Sequence, residues 1–186
     1  IEDVVVTSYG IGIKVNSSGV RVVGSNVSNN MGGVEINGDN DSVVDSIVSN
    51  NGNFGILVNG SNDSVIGSNV SYNGDIGIYI DENNDSVVDS IVSNNWGEGV
   101  YIIGSSHDSV VNSTLNNNYY GIALYGDSGT LVTGNIISNN SQCGLYMQGS
   151  SGDLIYNNLF NNTDNACVIS GYAYWNVSLR PGRNIV

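Results

Sequence analysis

The fold is decided by a stretch of eleven residues, Asp41-Ser42-Val43-Val44-Asp45-Ser46-Ile47-Val48-Ser49-Asn50-Asn51, that recurs unchanged at 85–95. A second phrase, glycine–aliphatic–any residue–aliphatic, precedes this stretch and each of its relatives along the chain. It starts at Gly12, Gly33, Gly55, Gly77, Gly99, Gly121 and Gly144, so successive copies are 21, 22, 22, 22, 22 and 23 residues apart. Self-similarity at a fixed period of about 20–50 residues is typical of solenoids, in which each repeat packs on its neighbours.

Each repeat consists of short apolar–polar alternations separated by Gly, Asn, Asp and Ser, which predicts strands and turns. A leucine-rich repeat has a similar period, but it needs leucine-rich spacing and a segment that can become helical. The corresponding segment here is β-branched and turn-rich, so we reject that alternative. The sequence predicts an all-β fold, a single-stranded parallel β-helix of about 22 residues per coil.

We expect one β-helix domain over 1–186, as a module or processed part of a larger surface protein. Its expected parts are a partial coil over 1–11, seven full coils that begin near 12, 33, 55, 77, 99, 121 and 144, and a terminal coil over 163–186. The open ends of a solenoid are unpaired strand edges. We therefore expect either adjoining domains or end-to-end stacking between molecules.

Alternation along the strands assigns four inward side chains to every coil. They are Ile13, Val15, Val22, Val27, Val34, Ile36, Val43, Val48, Ile56, Val58, Val65, Val70, Ile78, Ile80, Val87, Val92, Val100, Ile102, Val110, Leu115, Ile122, Leu124, Val132, Ile137, Leu145, Met147, Ile155 and Phe160. Copies five to seven keep this register only if their first turn holds one extra residue. A polar column is expected to bond the backbone of the next coil at a corner, and it consists of Ser25, Ser46, Ser68, Ser90, Ser113, Asn135 and Asn158.

The composition excludes several classes of function. The chain has 4 Lys and Arg residues against 17 Asp and Glu residues, a formal net charge of −13 and a pI of about 4.1. So acidic a chain has no electrostatic footprint for phosphate backbones, and anionic membranes repel it. It also lacks a run of about 18 apolar residues. We therefore expect neither nucleic-acid binding nor direct insertion into a membrane.

The glycine phrases and the paired Asn endings resemble the right-handed parallel β-helix repeat family of the carbohydrate-binding and sugar-hydrolase type. The closest likeness is to the NosD-like proteins common on archaeal cell surfaces. The tail strengthens it, with Ile155-Tyr156-Asn157-Asn158-Leu159-Phe160-Asn161-Asn162, then Tyr174-Trp175-Asn176, then Pro181-Gly182-Arg183-Asn184-Ile185-Val186. The resemblance covers nearly the whole chain and implies a right-handed coil at the cell surface. It implies no particular activity, because the repeat records packing and not chemistry.

The β-helices that this chain resembles include pectate lyases, polygalacturonases and uronate epimerases, whose sites cluster Asp with Arg, Lys or His on one outward face. Paired carboxylates serve hydrolysis, and a cation is needed to acidify the α-proton of a uronate. Here the basic residues Lys14, Arg21, Arg180 and Arg183 lie at the two ends, and the one histidine, His107, lies in a predicted turn. We therefore predict that the chain is not an enzyme and requires no cofactor.

One acidic pattern has the composition of a metal site. Four Asp residues occupy the same place in successive coils, each followed by Ser, namely Asp41, Asp63, Asp85 and Asp108. Carboxylates stacked about 4.8 Å apart repel each other, and Ca²⁺ between coils would relieve that repulsion with oxygen ligands. The alternative is that each Asp caps its own turn and points to water. Copper is not indicated, because its preferred ligands are scattered over Met31, His107, Cys143, Met147 and Cys167.

An outward column beside the glycine phrase contains aromatic residues. It consists of Lys14, Glu35, Leu57, Tyr79, Tyr101, Ala123 and Tyr146. Aromatic platforms bind sugars, so Tyr79, Tyr101 and Tyr146 are candidate carbohydrate-binding residues. The alternative is simple cross-strand stacking of tyrosines on an exposed sheet.

A second outward row is aliphatic. Val23, Val44, Ile66, Val88 and Val111 are expected to face outward, and Ile47 and Ile91 add to the same side. Soluble monomers avoid such apolar patches, so this row predicts an assembly face for another subunit or a neighbouring surface-protein domain. The alternative is a register error of one residue at the corner, which would turn these residues inward.

Several features favour a place outside the cell. Acceptor sequences for N-glycosylation occur at Asn16, Asn26, Asn40, Asn59, Asn62, Asn69, Asn84, Asn112, Asn139, Asn161 and Asn176. Cys143 and Cys167 lie about one coil apart and are candidates for a disulfide, the alternative being a buried Cys167 with a free Cys143.

The sequence as a whole favours a non-catalytic extracellular β-solenoid, a structural or adhesive subunit of a cell-surface layer, sheath or filament that associates with itself laterally or end to end. The alternative is a carbohydrate-binding module attached to a polysaccharide-active protein.

Overall fold

A computed structural model describes residues 1–175, and within that range it contains strands and turns but no helix. The predicted all-β parallel β-helix is therefore confirmed, while the last eleven positions of the expected terminal coil, 176–186, lie outside the described residues. In chain order the strands are β1 (Val5–Val6), β2 (Ile11–Val15), β3 (Arg21–Val23), β4 (Asn26–Ser28), β5 (Gly32–Ile36), β6 (Ser42–Val44), β7 (Ile47–Ser49), β8 (Ile56–Val58), β9 (Ser64–Ile66), β10 (Asn69–Ser71), β11 (Ile78–Ile80), β12 (Ser86–Val88), β13 (Ile91–Ser93), β14 (Val100–Ile103), β15 (Ser109–Val111), β16 (Thr114–Asn116), β17 (Tyr120–Tyr125), β18 (Leu131–Thr133), β19 (Ile136–Ser138), β20 (Cys143–Tyr156), β21 (Leu159–Asn161) and β22 (Asp164–Trp175).

Each coil contributes one strand to each of three faces. The first face contains β2, β5, β8, β11, β14, β17 and the start of β20, and the second contains β3, β6, β9, β12, β15, β18 and the end of β20. The third face contains β1, β4, β7, β10, β13, β16, β19 and β21, which corresponds to about eight coils. Neighbouring strands are parallel and in register, and the long β22 pairs with β20 to cover the last coil.

The core consists of stacked aliphatic columns inside the coil. All of the side chains assigned inward by alternation are buried, and they form a single hydrophobic cluster. The phase at the corner is also as predicted, because Val22 is 1% exposed whereas the next residue, Val23, faces outward and is half-buried. The alternative register, with the aliphatic row turned inward, is therefore wrong. Each buried aliphatic side chain contributes about 1.5–3 kcal/mol to stability.

The recurring Gly, Asn and Asp residues mark three corners per coil at which the backbone adopts a left-handed conformation. Gly24 and Asp45 occupy the same corner in successive coils, with φ of 59° and 48°. Glycine adopts this conformation freely, and Asn and Asp tolerate it better than other residues do. The two alternating versions of the repeat thus differ in sequence but not in backbone shape.

Columns of buried polar side chains join the coils. In the predicted serine column, the Ser46 amide N–H donates to Ser68 Oγ at 3.1 Å, and Ser46 Oγ donates to the Val44 carbonyl at 2.9 Å. This corner column is confirmed.

The second column was not predicted, and its members share the last position of the paired Asn endings. They are Asn30, Asn51, Asn73, Asn95, Asn118, Asn140 and Asn162. Asn73 is fully buried, and its Nδ2 donates to the Val48 carbonyl at 3.2 Å and to Asn95 Oδ1 at 3.0 Å. The column also explains the recurring glycine, because a Cβ on Gly55 would lie 2.7 Å from Asn73 Nδ2.

We predict that Asn73→Ala lowers the free energy of unfolding by about 2–4 kcal/mol, because a buried donor and acceptor on adjacent coils would each lose a partner. Asn73 Oδ1 accepts the Asn51 backbone N–H at 3.2 Å, so that buried amide would be left without its acceptor. Chemical denaturation measures the change. Asn53→Ala, at an exposed position one coil away, is the control and should change stability by less than about 0.5 kcal/mol. Equal effects of the two variants would contradict a structural role for the amide column.

Candidate functional site

Six tyrosines form one continuous cluster on the outside of the first face, which we call the tyrosine band. Its members are Tyr79, Tyr101, Tyr119, Tyr120, Tyr125 and Tyr146. Tyr79 and Tyr101 are paired on β11 and β14, with ring centroids 5.3 Å apart. Tyr125 links the predicted residues to each other, because its ring lies 5.2 Å from Tyr101 and 5.1 Å from Tyr146. The structure therefore brings all three predicted tyrosines into one surface.

The band crosses the coil of β17 over a small residue. Ala123 pairs with Tyr101 on one side and Tyr146 on the other, and it faces outward, yet none of its surface is exposed. The rings of Tyr101, Tyr125 and Tyr146 cover this position. A larger side chain at Ala123 would separate them. The signal in the sequence was Tyr-Tyr-Gly-Ile-Ala-Leu-Tyr at 119–125, in which tyrosines flank the alanine.

The rings follow the axis of the β-helix, so their faces are partly covered by their neighbours. The planes of Tyr79 and Tyr101 are tilted by 35°, and those of Tyr120 and Tyr146 by 26°. The hydroxyl groups are uncharged near neutral pH, and burial raises the pKa of Tyr79, Tyr101, Tyr120 and Tyr125 further above the ordinary value. Tyr146 OH donates a hydrogen bond to Gln148 Oε1 at 2.7 Å. The band therefore offers ring edges and neutral hydroxyl groups to a ligand.

Carboxyl groups border the band. Burial raises the pKa of Glu98, and the charge of Asp75 adds to that effect. Asp81 lies close to Tyr79. Burial raises the pKa of Asp81 as well, and the charge of Glu82 raises it further. The sequence has no Lys or Arg between Arg21 and Arg180, so the coils that carry the band bring no such cation to offset these carboxyl groups.

Positive charge occurs instead in the first coils. Lys14 Nζ donates to Glu35 Oε1 at 2.6 Å in the two coils nearest the N-terminus, and this hydrogen bond lowers the pKa of Glu35.

The predicted column of Asp41, Asp63, Asp85 and Asp108 is turned into the molecule. These side chains are 1–2% exposed, so the alternative in which each points to water is wrong. Each carboxylate accepts a backbone N–H from the preceding coil. The Asp41 amide donates to Asp63 Oδ1 and the Asp63 amide to Asp85 Oδ1, both at 2.7 Å.

Their burial has an electrostatic consequence. Burial raises the pKa of Asp85 to about 8 and those of Asp63 and Asp108 to about 6. In the part of the chain that the structure describes, no group of three or more His, Cys, Asp or Glu residues is placed to hold a metal ion. Binding of Ca²⁺ by this column stays a prediction.

The other predicted residues lie apart from the band. The aliphatic row is half-buried at Val23, Val44, Val88 and Val111 and exposed at Ile66. The structure joins Cys143 and Cys167 in a disulfide between β20 and β22, with Cα atoms 6.1 Å apart. His107 takes one of the left-handed corners, with φ of 62°, and its ring is exposed.

Most glycosylation candidates lie at the surface. Seven are exposed, namely Asn16, Asn40, Asn62, Asn84, Asn112, Asn139 and Asn161, whereas Asn26, Asn59 and Asn69 are half-buried and Asn176 lies outside the described residues. Asn40, Asn62, Asn84, Asn112 and Asn139 have φ between 50° and 63°. Asn at these corners is thus explained by backbone geometry, and glycosylation stays a prediction.

We predict that the protein loses stability as the pH rises from about 4 to about 8. The unfolded carboxyl group has a pKa of about 4, so with its raised pKa the folded Asp85 retains a proton that the unfolded chain has lost in this range. Asp85→Asn should raise the melting temperature at pH 8 by about 3–8 °C and flatten its pH dependence. Scanning calorimetry between pH 4 and pH 9 measures both effects. Asp89→Asn removes the same charge from an exposed position in the same coil, and an equal flattening there would contradict the assignment to Asp85.

Solved structures with the same fold include proteins that are named for acidic polysaccharides. Pectate lyase Pel9A superposes with a TM-score of 0.66 and 15% identity, over 83% of this chain and 55% of that one. The periplasmic alginate epimerase AlgG gives 0.68 and 20%, over 86% and 40%. The Dettilon tailspike protein gives 0.77 and 16%, over 87% and 43%. At this identity the likeness shows the fold alone, and the chain spans only about half of these proteins or less. No curated protein sequence matches this chain.

Within residues 1–175 no helix is long and apolar enough to cross a membrane. A sequence profile described as "Periplasmic copper-binding protein (NosD)" matches residues 2–186. The residues that copper prefers do not fit a common site in the described part of the chain. Met147 is buried in the core, Met31 and His107 are exposed at different corners, and Cys143 is held in the disulfide. The match nevertheless covers nearly every residue, and the chain belongs to the NosD family.

Proposed function

We propose that the protein is a non-catalytic, glycan-binding β-helix that works outside the cytoplasm, at the cell surface, with the tyrosine band as its binding face. The observation that carries this proposal is the continuity of the band, in which successive rings from Tyr79 to Tyr146 lie 5.1–5.3 Å apart across adjacent coils. Tyrosine combines an apolar body with a polar tip, which suits a ligand that has both CH groups and hydroxyl groups. The family description as periplasmic supports a place outside the cytoplasm.

The charge of the molecule favours a neutral glycan. The formal net charge is −13, and Asp81 and Glu98 lie beside the band. A polyuronate would carry one negative charge per sugar into that field and would be repelled. Two of the structural neighbours, by contrast, are named for the polyuronates pectate and alginate.

We propose that the protein is not catalytic because the coils that carry the tyrosine band have no lysine or arginine. Abstraction of a proton next to a carboxylate needs a positive charge to stabilise the enolate that develops. The band lies between Arg21 and Arg180, a range in which the sequence has no Lys or Arg.

We predict that the purified protein binds one or more neutral polysaccharides on a glycan array and that Tyr101→Ala weakens this binding at least tenfold. Tyr101 lies between Tyr79 and Tyr125, so its removal divides the band. Isothermal titration calorimetry with the best array ligand gives the affinity of each variant.

Two further variants make the test specific. Tyr101→Phe keeps the ring and should lose less affinity than Tyr101→Ala. Tyr9→Ala removes a tyrosine that is 64% exposed in the first coil, outside the band, and should bind like the unmodified chain. An array without any ligand, or an equal loss for Tyr9→Ala, would refute the proposal.

A second function, lateral assembly, is favoured by exposed aliphatic side chains in one line on the third face. Ile47, Ile91, Ile136 and Leu159 occupy equivalent outward positions in the third-face column and are each 43–48% exposed. Exposed apolar rows of this kind are typical of surfaces that are covered by another protein. The alternating partners Asn26, Asn69 and Thr114 make the line interrupted rather than continuous.

For this second function we predict a concentration-dependent dimer or larger assembly that the double variant Ile47→Lys/Ile91→Lys converts to a monomer. Sedimentation velocity at several concentrations measures the change, and electron microscopy identifies filaments or sheets. Ile169→Lys, at a 63% exposed position on β22, is the control. A monomer at every concentration in the unmodified chain would exclude lateral assembly without affecting the glycan proposal.

A further inference from the structure

A buried cluster of side-chain oxygen atoms lies in the turn between the first and second faces, in the coils of β17 and β20. It consists of Asp127 and Thr130 in one coil and Ser150 and Asp153 in the next, all 0–1% exposed. Five of their side-chain oxygens have no hydrogen-bond partner: both of Asp127, Thr130 Oγ1, Ser150 Oγ and Asp153 Oδ2. Buried polar atoms in native proteins are normally paired, so five such atoms in one cluster point to a ligand that they share.

The four side chains are brought together by the stacking of the coils. The Ser151 amide donates to the Asp127 carbonyl at 3.1 Å, which places Ser150 over Asp127. The Thr130 amide donates to Asp153 Oδ1 at 3.0 Å, which places Asp153 over Thr130. Burial raises the pKa of the Asp153 carboxyl to about 7, and the nearby carboxyl group of Asp127 adds to that rise.

The coils nearer the N-terminus show where these side chains point. In the coil of Asp108 the position three residues before the buried column faces that column, because Ser105 Oγ donates to Asp108 Oδ2, whereas Glu82 at the same position of an earlier coil is exposed. Two coils have glycine at this position, and a Cβ built on Gly60 would lie 2.8 Å from Asp63 Oδ2. Asp127 and Ser150 occupy the same position. Both are buried, unlike Glu82, so their side chains are directed at Thr130 and Asp153, and Asp127 adds a second buried carboxyl group to the column.

The charges in this cluster need a positive partner. Two carboxylates close together and out of water repel each other strongly, and among the described residues neither has a lysine or arginine beside it, because 22–175 contain none. A buried water could donate hydrogen bonds but would not neutralise the charge. Carboxylate and hydroxyl oxygens together are hard ligands of the kind that Ca²⁺ prefers.

We propose that Asp127, Thr130, Ser150 and Asp153 form a Ca²⁺ site that joins the two coils. Two carboxylates match the charge of the ion, and the two hydroxyl groups supply further oxygen ligands. The site contains only two acidic residues, in agreement with the absence of any three-acid metal cluster among residues 1–175. Thr130 and Asp153 continue the column of Asp41, Asp63, Asp85 and Asp108 towards the C-terminus, and the site differs from the rest of that column in the buried oxygens of Asp127 and Ser150 that face it. It does not depend on the proposed glycan binding.

The test is equilibrium dialysis of chelator-treated protein against ⁴⁵Ca²⁺, together with its melting temperature with and without Ca²⁺. We expect one ion per chain and a melting temperature that rises with the logarithm of the Ca²⁺ concentration. Thr130→Val keeps the shape of the side chain but removes its oxygen, and it should weaken binding at least tenfold. Asp127→Asn should abolish it. Circular dichroism of each variant confirms that the coil is formed.

Two matched control variants test whether the ion is held by these four residues. Thr133→Val makes the same change at a half-buried outward position on β18, and Asp63→Asn alters the same column several coils nearer the N-terminus. Both should keep the ion. Loss of the ion in either control, or a chain that takes up no Ca²⁺ and melts at the same temperature with chelator, would overturn the proposal. A melting temperature that is insensitive to Ca²⁺ but falls as the pH rises through 7, and no longer does so in Asp153→Asn, would also overturn it, because the two carboxyl groups would then share a proton.

Discussion

The structure depends on one constraint, which is that the backbone N–H groups at the buried corners of one coil are bonded by side chains of the next coil. In a solenoid the chain turns three times per coil, and at each turn backbone groups are withdrawn from water. The asparagine column meets this need because each amide both donates to and accepts from the preceding coil, as Asn73 does with the Val48 carbonyl and the Asn51 N–H. Because such bonds require identical spacing in successive coils, they hold the period close to 22 residues. The aliphatic core would by itself tolerate small shifts in the register of one coil against the next, whereas these amide hydrogen bonds do not.

The interior could be predicted almost entirely from the sequence, because alternation has only two outcomes at each position. The assignment of Val22 inward and Val23 outward follows from the glycine phrase, and burial confirms it. The asparagine column was missed for a physical reason. A polar residue at the end of a strand is normally interpreted as a turn residue that faces water, and only the stacking of seven copies makes burial of Asn73 favourable. The burial of the Asp column was left open by the same assumption, since one of its two interpretations had each carboxylate in water.

The outer face was predicted less well, because contacts there depend on side-chain size and not on alternation. Tyr79, Tyr101 and Tyr146 were recognised from their shared column. Tyr125 was missed, since it belongs to a neighbouring column and reaches Tyr101 and Tyr146 only by crossing above Ala123. Ring tilt, which decides that the band presents edges and hydroxyl groups, depends on this packing and has no counterpart in the residue pattern.

One inserted residue per coil connects the tyrosine band with the buried oxygen cluster, the two features that distinguish the C-terminal coils. Relative to the coils before them, the turns after β14 and β17 and the bend within β20 contain one additional glycine, at Gly104, Gly126 and Gly149, with φ between 61° and 76°. The extra residue lengthens pairing on the first face by one position, so that Ile103, Tyr125 and Gln148 pair outward in register.

The same extra residue changes which side chains enter the turn. Where a coil nearer the N-terminus brings Gly60 against its buried Asp, the later coils bring Ser105, Asp127 and Ser150. Tyr125 in the band and Asp127 in the buried oxygen cluster thus lie on either side of Gly126. A single change in coil length, repeated three times, extends the outer surface of the β-helix and places polar groups inside its turn. The proposed ligand face and the proposed ion site are therefore products of one local geometry, although each can be lost without the other.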